Sequence, residues 1–317
     1  MRRIFTLIAL ACGTVALGAT ALGALDACVP ADDRPPPGKL TLTVSPSTAV
    51  QSGVITADGW SVVFERVLVG IGRASLGNTC ARYSDSSYDR LLDVTSKGGQ
   101  KLSILYGIGQ CDLRFRVASP SSDAVLGEGV TEADKTAMRT PGADAYVPLG
   151  GIAMDVTGAA SRDGVTKRFR LVFRPRVRYA DCKLERGAAS AVDLQSNVEE
   201  VFDIRIEAEA ILRDDPDAAG ASLRFEPFAA ADKDGDGTVT LDELRAVPIA
   251  NVRDGGAFEA GSYEFDEDAG IFRAGRAVKI ESLGDYVYEL LLPSLPRFRG
   301  TGSCGAGVGL GRGGGPG

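Results

Sequence analysis

The sequence predicts a mainly β protein with a β-sandwich-like body and a small helical element near its C-terminus. Residues 39–213 consist largely of short segments rich in β-branched and aromatic residues, which Gly, Ser and Asp separate. The clearest helical spacing of apolar residues comes later in the chain, after the last of these segments. Many short strands joined by turns are typical of a sandwich or a barrel.

Several segments of the body are predicted strands. Residues 39–44 alternate apolar and polar side chains with the period of two that a half-buried strand requires. The other predicted strands are residues 60–71, 101–106, 112–118, 147–159, 165–177 and 201–212. Asp163 and Gly164 separate two of them, and because an Asp-Gly pair tolerates positive φ, we expect a hairpin at that point.

Two short helices are predicted from capping signals. Thr131 can accept a hydrogen bond from the backbone of Asp134, and Ser282 stands in the same relation to Asp285. After Ser282, apolar residues recur at helical spacing: Leu283, Tyr286, Val287, Leu290 and Leu291. We expect this stripe to dock a helix onto the body, and a helix that binds a partner is the alternative.

Composition excludes several kinds of chemistry. Histidine is absent from all 317 residues, which excludes Ser-His-Asp catalysis, Cys-His catalysis and zinc sites with histidine ligands. Carboxylates, Lys, Tyr or a bound metal remain available. The formal net charge is −7, so the chain as a whole has no basic character that would favour a nucleic-acid partner.

The N-terminus predicts export. Arg2 and Arg3 precede residues 4–25, which are apolar, carry no charge and are diluted by Gly, Ala and Thr. This pattern is typical of a signal peptide, which we place at residues 1–27. A retained membrane-spanning helix is the alternative, because the uncharged stretch is long enough to cross a bilayer.

Leu25 ends the apolar stretch and begins the arrangement apolar, any residue, small, cysteine, which Ala27 and Cys28 complete. This arrangement resembles the lipobox of bacterial lipoproteins, although Asp26 stands where a small residue is usual. The resemblance implies that Cys28 is lipidated and anchors the protein to a membrane, whereas ordinary cleavage would leave it as a thiol. Residues 28–38 are polar and rich in proline, which suits a stiff tether.

The remaining cysteines predict disulfides. Besides Cys12 in the signal and Cys28, the chain contains Cys80, Cys111, Cys182 and Cys304. An even number in an exported protein indicates two disulfides, and of the three possible connectivities we favour Cys80 with Cys111 and Cys182 with Cys304. Buried free thiols are the alternative.

Residues 232–243 (DKDGDGTVTLDE) carry the strongest motif in the chain. Carboxylates alternate at Asp232, Asp234 and Asp236, and Gly237 follows to supply a sharp turn. Calcium requires six to eight oxygen ligands, so these side chains suit Ca²⁺ as the cofactor. The backbone of Thr238, the side chain of Thr240 or a water that it holds, and both oxygens of Glu243 would complete the shell. A solvated acidic turn is the alternative.

This spacing resembles the calcium-binding loop of the EF-hand family, with apolar residues on either side that can form short entering and exiting helices. EF-hands usually pair through the residue that corresponds to Val239, and the chain contains one such loop, which implies a structural ion rather than a switch. Together with the lipobox and residues 101–117 (KLSILYGIGQCDLRFRV), the loop resembles uncharacterised predicted lipoproteins of deltaproteobacterial type. Where we expect such relatives to carry histidines, this chain has residues 204–210 (IRIEAEA).

The predicted organisation places a sandwich at residues 39–222, the calcium element at 223–250, a segment with one docked helix at 251–304, and a disordered glycine-rich tail at 305–317. We expect a lipid-anchored binding or adhesion module of the cell envelope, whose partner is a glycan or a protein. A structural or assembly lipoprotein is the second possibility. A carboxylate-based hydrolase is the third, and the acidic residues on predicted strands are Glu65, Asp155, Glu207 and Glu209.

Overall fold

The computed structural model describes residues 34–77, 80–85, 88–96, 98–142, 147, 149–184, 192–216, 221–249, 272–273 and 280–309. The predicted signal peptide, Cys28 and the tether up to residue 33 lie outside these ranges. The strands are β1 Gly38–Pro46, β2 Val54–Ile55, β3 Ser61–Leu76, β4 Ala81–Asp85, β5 Asp89–Asp93, β6 Gln100–Cys111, β7 Leu113–Val117, β8 Val125–Leu126, β9 Met154–Arg162, β10 Val165–Phe173, β11 Arg176–Lys183, β12 Val192–Leu194, β13 Glu199–Ile206, β14 Thr238–Thr240, β15 Phe272–Arg273, β16 Pro296–Phe298 and β17 Ser303–Gly309.

The strands form two sheets. The smaller runs β12-β6-β1-β13-β16, with β4 also on β6, and the larger runs β14-β10-β9-β3-β7-β11-β17-β15, with β2, β5 and β8 attached through β3. Both contribute to one apolar core, in which Leu42 and Ile204 of the smaller sheet join Val67, Leu171 and Val177 of the larger. The predicted mainly β, sandwich-like body is therefore confirmed.

Several short helices connect or flank the strands. They are α1 Thr48–Ser52, α2 Glu132–Arg139, α3 Glu226–Ala229, α4 Leu241–Arg245 and a C-terminal helix at Leu283–Asp285 that continues as a π-helical segment, Tyr286–Leu291. The capping interactions predicted at Thr131 with Asp134 and at Ser282 with Asp285 are both present. The C-terminal helix is buried on several sides, since Tyr286, Val287, Tyr288 and Leu291 are each at most 1% exposed. It therefore docks within the chain, and these buried residues offer no free face to a partner.

The predicted hairpin is present. Strands β9 and β10 pair antiparallel, with Arg162 opposite Val165. The two residues between them, Asp163 and Gly164, have φ values of 50° and 78°. Two successive residues with positive φ match the right-handed twist of the flanking strands.

Three strand predictions need correction. Residues 165–177 form two strands because Pro175, which has no N–H to donate, follows the end of β10. The strand predicted at 201–212 ends at Ile206, and Ala208–Leu212 forms a 3₁₀ helix whose consecutive buried side chains cannot alternate between two faces. The strand predicted at 147–159 begins at Met154.

The glycine-rich tail also begins later than predicted. Residues 305–309 lie in β17, which pairs antiparallel with β11 as far as Arg176 opposite Gly309. A strand ladder joins backbone groups, so glycine can extend it without contributing a side chain. Residues 310–317 lie outside the described residues.

Both predicted disulfides are formed, Cys80 with Cys111 and Cys182 with Cys304. The first ties the start of β4 to the end of β6, and the second ties β11 to β17. Such bonds indicate that the chain folds in an oxidising, exported compartment. Within the described part of the chain, no helix is both long and apolar enough to cross a membrane.

Candidate metal centre

The loop 232–243 is held between the short helices α3 and α4. The body caps the start of α3, because the backbone N–H groups of Phe225 and Glu226 donate to Asp58 Oδ2 at 2.9 and 2.7 Å. Phe225 is fully buried, with ring centroids 5.3 Å from Trp60 and 5.8 Å from Phe169. The entering helix is therefore fixed to the sandwich by a carboxylate cap and by aromatic packing.

The second half of the loop joins the larger sheet. Strand β14 pairs parallel with β10, which places Val239 opposite Phe169, and Val239 is 0% exposed. Arg168 N–H also donates to the carbonyl of Gly237 at 2.8 Å. Val239 is the residue through which the loop would pair with a second loop if it formed part of a paired EF-hand. Here strand β10 of the body occupies that position.

Two glycines shape the first half of the loop. Gly235 and Gly237 have φ values of 75° and 83°, which L-residues rarely adopt. Gly237 is the residue for which the sequence predicted a sharp turn. The turn folds the chain back so that acidic side chains from alternate positions converge.

The structure brings together three of the predicted ligands. Carboxylate oxygens of Asp232, Asp234 and Asp236 lie within 4.8 Å of one another. Each carboxylate also accepts a backbone N–H of the loop, from Gly235 to Asp232 at 2.9 Å, from Asp236 to Asp234 at 3.1 Å, and from Thr238 to Asp236 at 2.6 Å. These hydrogen bonds fix the carboxylates against their mutual repulsion.

A lysine of the body contacts the first of these carboxylates. Lys167 Nζ lies 2.5 Å from Asp232 Oδ2, whose side chain is 0% exposed. The hydrogen bond from Lys167 is the main reason why the pKa of Asp232 is lowered. Asp234 and Asp236 are exposed, and among the described residues neither forms a salt bridge. The cluster therefore holds three carboxylates against one ammonium group.

Glu243 and Thr240 form a capping box at the start of α4. Glu243 Oε2 accepts from the backbone N–H and from the hydroxyl of Thr240, both at 2.8 Å. The other oxygen, Oε1, is buried and has no hydrogen-bond partner among the described residues. Glu243 does not belong to the group of three converging aspartates.

These residues fit a calcium ion. Oxygens that share one Ca²⁺ at about 2.3–2.6 Å can lie no more than roughly 5 Å apart, and the aspartate oxygens satisfy this limit. All the donors are oxygen, which favours Ca²⁺ over a metal that prefers nitrogen or sulfur. A buried carboxylate oxygen without a partner is costly, and coordination would remove that cost.

The acidic residues considered for hydrolysis all have partners. Glu65 pairs with Arg168 at 3.3 Å, and Asp155 pairs with Arg170 at 2.7 Å. The remaining two contacts are Glu207 with Arg213 at 2.9 Å and Glu209 with Ser47 at 2.7 Å. Burial raises the pKa of Glu209. Glu207 and Glu209 follow the end of β13, so neither lies on a strand as predicted.

Sequence reasoning missed the body's contribution to the loop. Lys167 and Asp58 stand 65 and 167 residues from the groups that they bind. The Asp-Gly hairpin signal was the one available clue to Lys167, since it predicts the strand on which this lysine lies. No signal connected either residue to residues 232–243.

Comparison with protein-family models, with curated proteins and with solved structures found no match to this chain.

Proposed function

We propose that residues 232–243 bind one calcium ion in the manner of an EF-hand, and that the ion stabilises an exported binding module. The observation that carries this proposal is the buried, unpartnered Oε1 of Glu243 beside a loop in which three aspartates already converge. In the proposed site Asp232, Asp234, Asp236 and Glu243 supply carboxylate oxygens. Thr238 supplies its carbonyl, and Thr240 contributes directly or through water.

We assign the ion a structural role. The loop is joined to the sandwich at both ends, through Asp58 at α3 and through the pairing of β14 with β10. A fixed frame of this kind has little freedom to open on binding. Extracellular calcium modules work with dissociation constants of about 10⁻⁴–10⁻³ M, so a weak site would still be filled outside the cytosol. Binding to the folded state alone then adds to stability.

We also propose where the module is located and what it does there. Cys28 is the proposed lipidation site, and the proline-rich residues that follow it would hold the sandwich near a membrane of the bacterial cell envelope. We assign the module to adhesion or to binding of a glycan or protein, because loops at the ends of a sandwich commonly present ligand contacts. The two disulfides support export.

Calcium binding is tested by comparing the metal-free and calcium-loaded chain. We expect calorimetry to show one Ca²⁺ per chain, and we expect EDTA to lower the melting temperature. The same concentration of Mg²⁺ should produce a smaller shift, because Mg²⁺ requires a tighter octahedral shell. An identical melting temperature with calcium and with EDTA would rule out the structural ion.

Membrane anchoring and ligand binding are tested by separate measurements. Mass spectrometry of the protein from a bacterial envelope should show an acylated N-terminal cysteine, and Cys28→Ser should release the protein from the membrane fraction. A glycan array with the calcium-loaded chain distinguishes a glycan-binding module from an assembly lipoprotein, which should give no specific signal. Membrane retention of the Cys28→Ser chain through a covalent lipid elsewhere would contradict the assignment of Cys28.

A further inference from the structure

A cluster of arginines lies on the outer face of the larger sheet. We call Arg73, Arg116, Arg176 and Arg178 the arginine face. The alternate residues of the same strands are buried in the core: Phe115, Val117, Val177 and Tyr179. Because side chains alternate along a strand, the arginines of β7 and β11 point away from the core.

Register and ion pairs show that these arginines are neighbours. Arg178 lies directly opposite Arg116 in the pairing of β11 with β7. Arg116 Nη2 lies 2.8 Å from Asp89 Oδ2, and Arg73 Nε lies 3.6 Å from Oδ1 of the same carboxylate. Burial lowers the pKa of Arg176, and repulsion from Arg116 and Arg178 lowers it further.

Positive charge exceeds negative charge on this face. Asp89 is 5% exposed and is shared between Arg73 and Arg116. Arg176 and Arg178 are exposed and form no salt bridge within the described ranges. Arg73 also lowers the pKa of the nearby Asp123 carboxyl, although the hydrogen bonds of Asp123, first with Ser121, lower that pKa more. A net positive face on a chain of net charge −7 would attract a polyanion locally, although the molecule as a whole is acidic.

We propose that the arginine face docks the protein onto an anionic membrane surface by binding lipid phosphate groups. Guanidinium groups bind phosphate through paired N–H donors, and an exposed sheet face can meet many headgroups at once.

The inference depends on the proposed membrane address, which supplies the reason to choose lipid phosphate as the partner. The tether of residues 28–38 would span roughly 30 Å if it is extended at about 3.1 Å per residue. A lipid anchor at Cys28 would therefore keep the sandwich within reach of the headgroups. Arginines near an anionic leaflet would then add a second, electrostatic attachment to the single lipid.

The test is vesicle co-sedimentation of the chain from residue 28 onward, carrying Cys28→Ser and loaded with calcium, so that the lipid contributes nothing. Vesicles of phosphatidylcholine alone are compared with vesicles rich in phosphatidylglycerol, at low and at high salt. The variant is Arg176→Gln/Arg178→Gln. The matched control is Arg82→Gln/Lys101→Gln, which removes two exposed positive charges from the smaller sheet.

We expect partitioning into the anionic vesicles alone, weakened by salt and reduced at least about tenfold in the arginine variant, since each arginine near such a surface contributes roughly a factor of five. The control variant should partition like the parent chain. Equal partitioning of the two variants, or equal binding to neutral vesicles, would overturn the inference.

Two further measurements distinguish membrane docking from binding of other anionic partners. Binding of inorganic phosphate without vesicle partitioning would make the face a small-anion site and overturn membrane docking. Self-association that the arginine variant abolishes, again without vesicle partitioning, would assign the face to a second copy of this acidic chain. Failure to be acylated at Cys28 is measured separately by mass, so it is distinguishable from failure of the arginine face.

Discussion

The body and the loop 232–243 differ in how their acidic side chains are arranged. In the body, five largely covered carboxylates lie against arginines. These pairs are Asp93 and Asp134 with Arg66, Asp89 with Arg116, Asp155 with Arg170, and Asp214 with Arg224. In the loop, Asp232, Asp234 and Asp236 converge on one another, and among the described residues Lys167 forms a salt bridge with Asp232 alone.

This difference shows in which region the carboxylates are balanced by side chains of the protein itself. A half-buried carboxylate is stable when an arginine offsets its charge and fills its hydrogen-bonding capacity. The five arginine-paired carboxylates of the body satisfy this condition. The loop does not, because Lys167 contacts one of its three aspartates, and Glu243 adds a buried oxygen without a partner among the described residues. The arginine face shows the opposite imbalance, and each imbalance predicts a ligand of the missing charge.

The largest expected effect comes from Phe169, which belongs to both regions. Its ring contacts Phe64 and Phe225, and its backbone lies opposite Val239. Phe169→Ala should lower the free energy of unfolding by about 3–5 kcal/mol, as expected for a buried aromatic residue. Chemical denaturation measures the change. Val165→Ala on the same strand is half exposed and should change stability by less than about 0.5 kcal/mol. A loss of calcium affinity without a loss of stability would mean that Phe169 serves the loop alone.

The next effect tests the charge balance of the body. Arg66→Met leaves Asp93 and Asp134, whose side chains are 10% and 16% exposed, without their cation. Removing one partner of such a group should cost about 3 kcal/mol at neutral pH. Arg168→Met, which removes an exposed arginine paired with an exposed glutamate, should cost less than about 1 kcal/mol. Equal losses in the two variants would remove the distinction between matched and solvated pairs.

The ion pair of Arg66 with Asp134 also predicts how the free energy of unfolding depends on pH. Arg66 holds the pKa of Asp134 well below its usual range. The stabilisation is therefore fully present above the ordinary aspartate pKa of about 4 and is lost as the pH falls through the lower, folded value. Unfolding free energies measured from pH 7 down to acid should fall less steeply in Arg66→Met than in the parent chain. An unchanged slope would show that other carboxylates dominate acid unfolding.

Glu243→Gln tests whether Glu243 is a calcium ligand. The glutamine keeps an oxygen that can accept from Thr240, so the capping box and the metal-free stability should be nearly unchanged. The lost charge should weaken calcium binding by about ten- to a hundredfold in calorimetry. Asp242→Asn, one residue earlier with a side chain that is 82% exposed, is the control and should change affinity by less than about threefold. Unchanged affinity in Glu243→Gln would contradict the ligand assignment.

The smallest effect is expected for Lys167→Met. The substitution should be unfavourable without metal and favourable for calcium binding. Without metal, Lys167→Met should lower stability by about 1 kcal/mol, because Asp232 loses its cation. With metal, the ammonium competes for the same carboxylate, so its removal should raise calcium affinity severalfold. The two effects are measured by denaturation in EDTA and by calorimetry. If affinity falls instead, Lys167 supports the bound loop rather than competing with the ion.

The convergence of the three aspartates could be predicted from sequence because the aspartates, the turn at Gly237 and the cap at Thr240 lie within twelve neighbouring residues. The same locality made the Asp163-Gly164 hairpin, the Thr131 cap and the Ser282 cap predictable. The ranges of most strands could also be found, since alternation is a local property. Pro175 marks the break between β10 and β11, but the β-branched and aromatic residues on either side of it led to a prediction of one strand.

What the sequence could not show depends on residues far apart in the chain. The parallel pairing of β14 with β10, the contact of Lys167 with Asp232 and the cap that Asp58 supplies to α3 all join distant segments. Short strands such as β4, β5 and β17 escaped prediction because a brief polar or glycine-rich segment becomes a strand only when a neighbour offers its backbone. The arginine face required the register of β7 and β11, which fixes Arg116 opposite Arg178.

The most direct test of the calcium assignment is a crystal structure of the chain grown in abundant Ca²⁺. We predict one ion within residues 232–243, bound by Asp232, Asp234, Asp236, the Thr238 carbonyl and Glu243 at about 2.3–2.6 Å, with Oε1 of Glu243 now coordinated. An empty loop, or one that holds only water with Lys167 still on Asp232, would contradict the account.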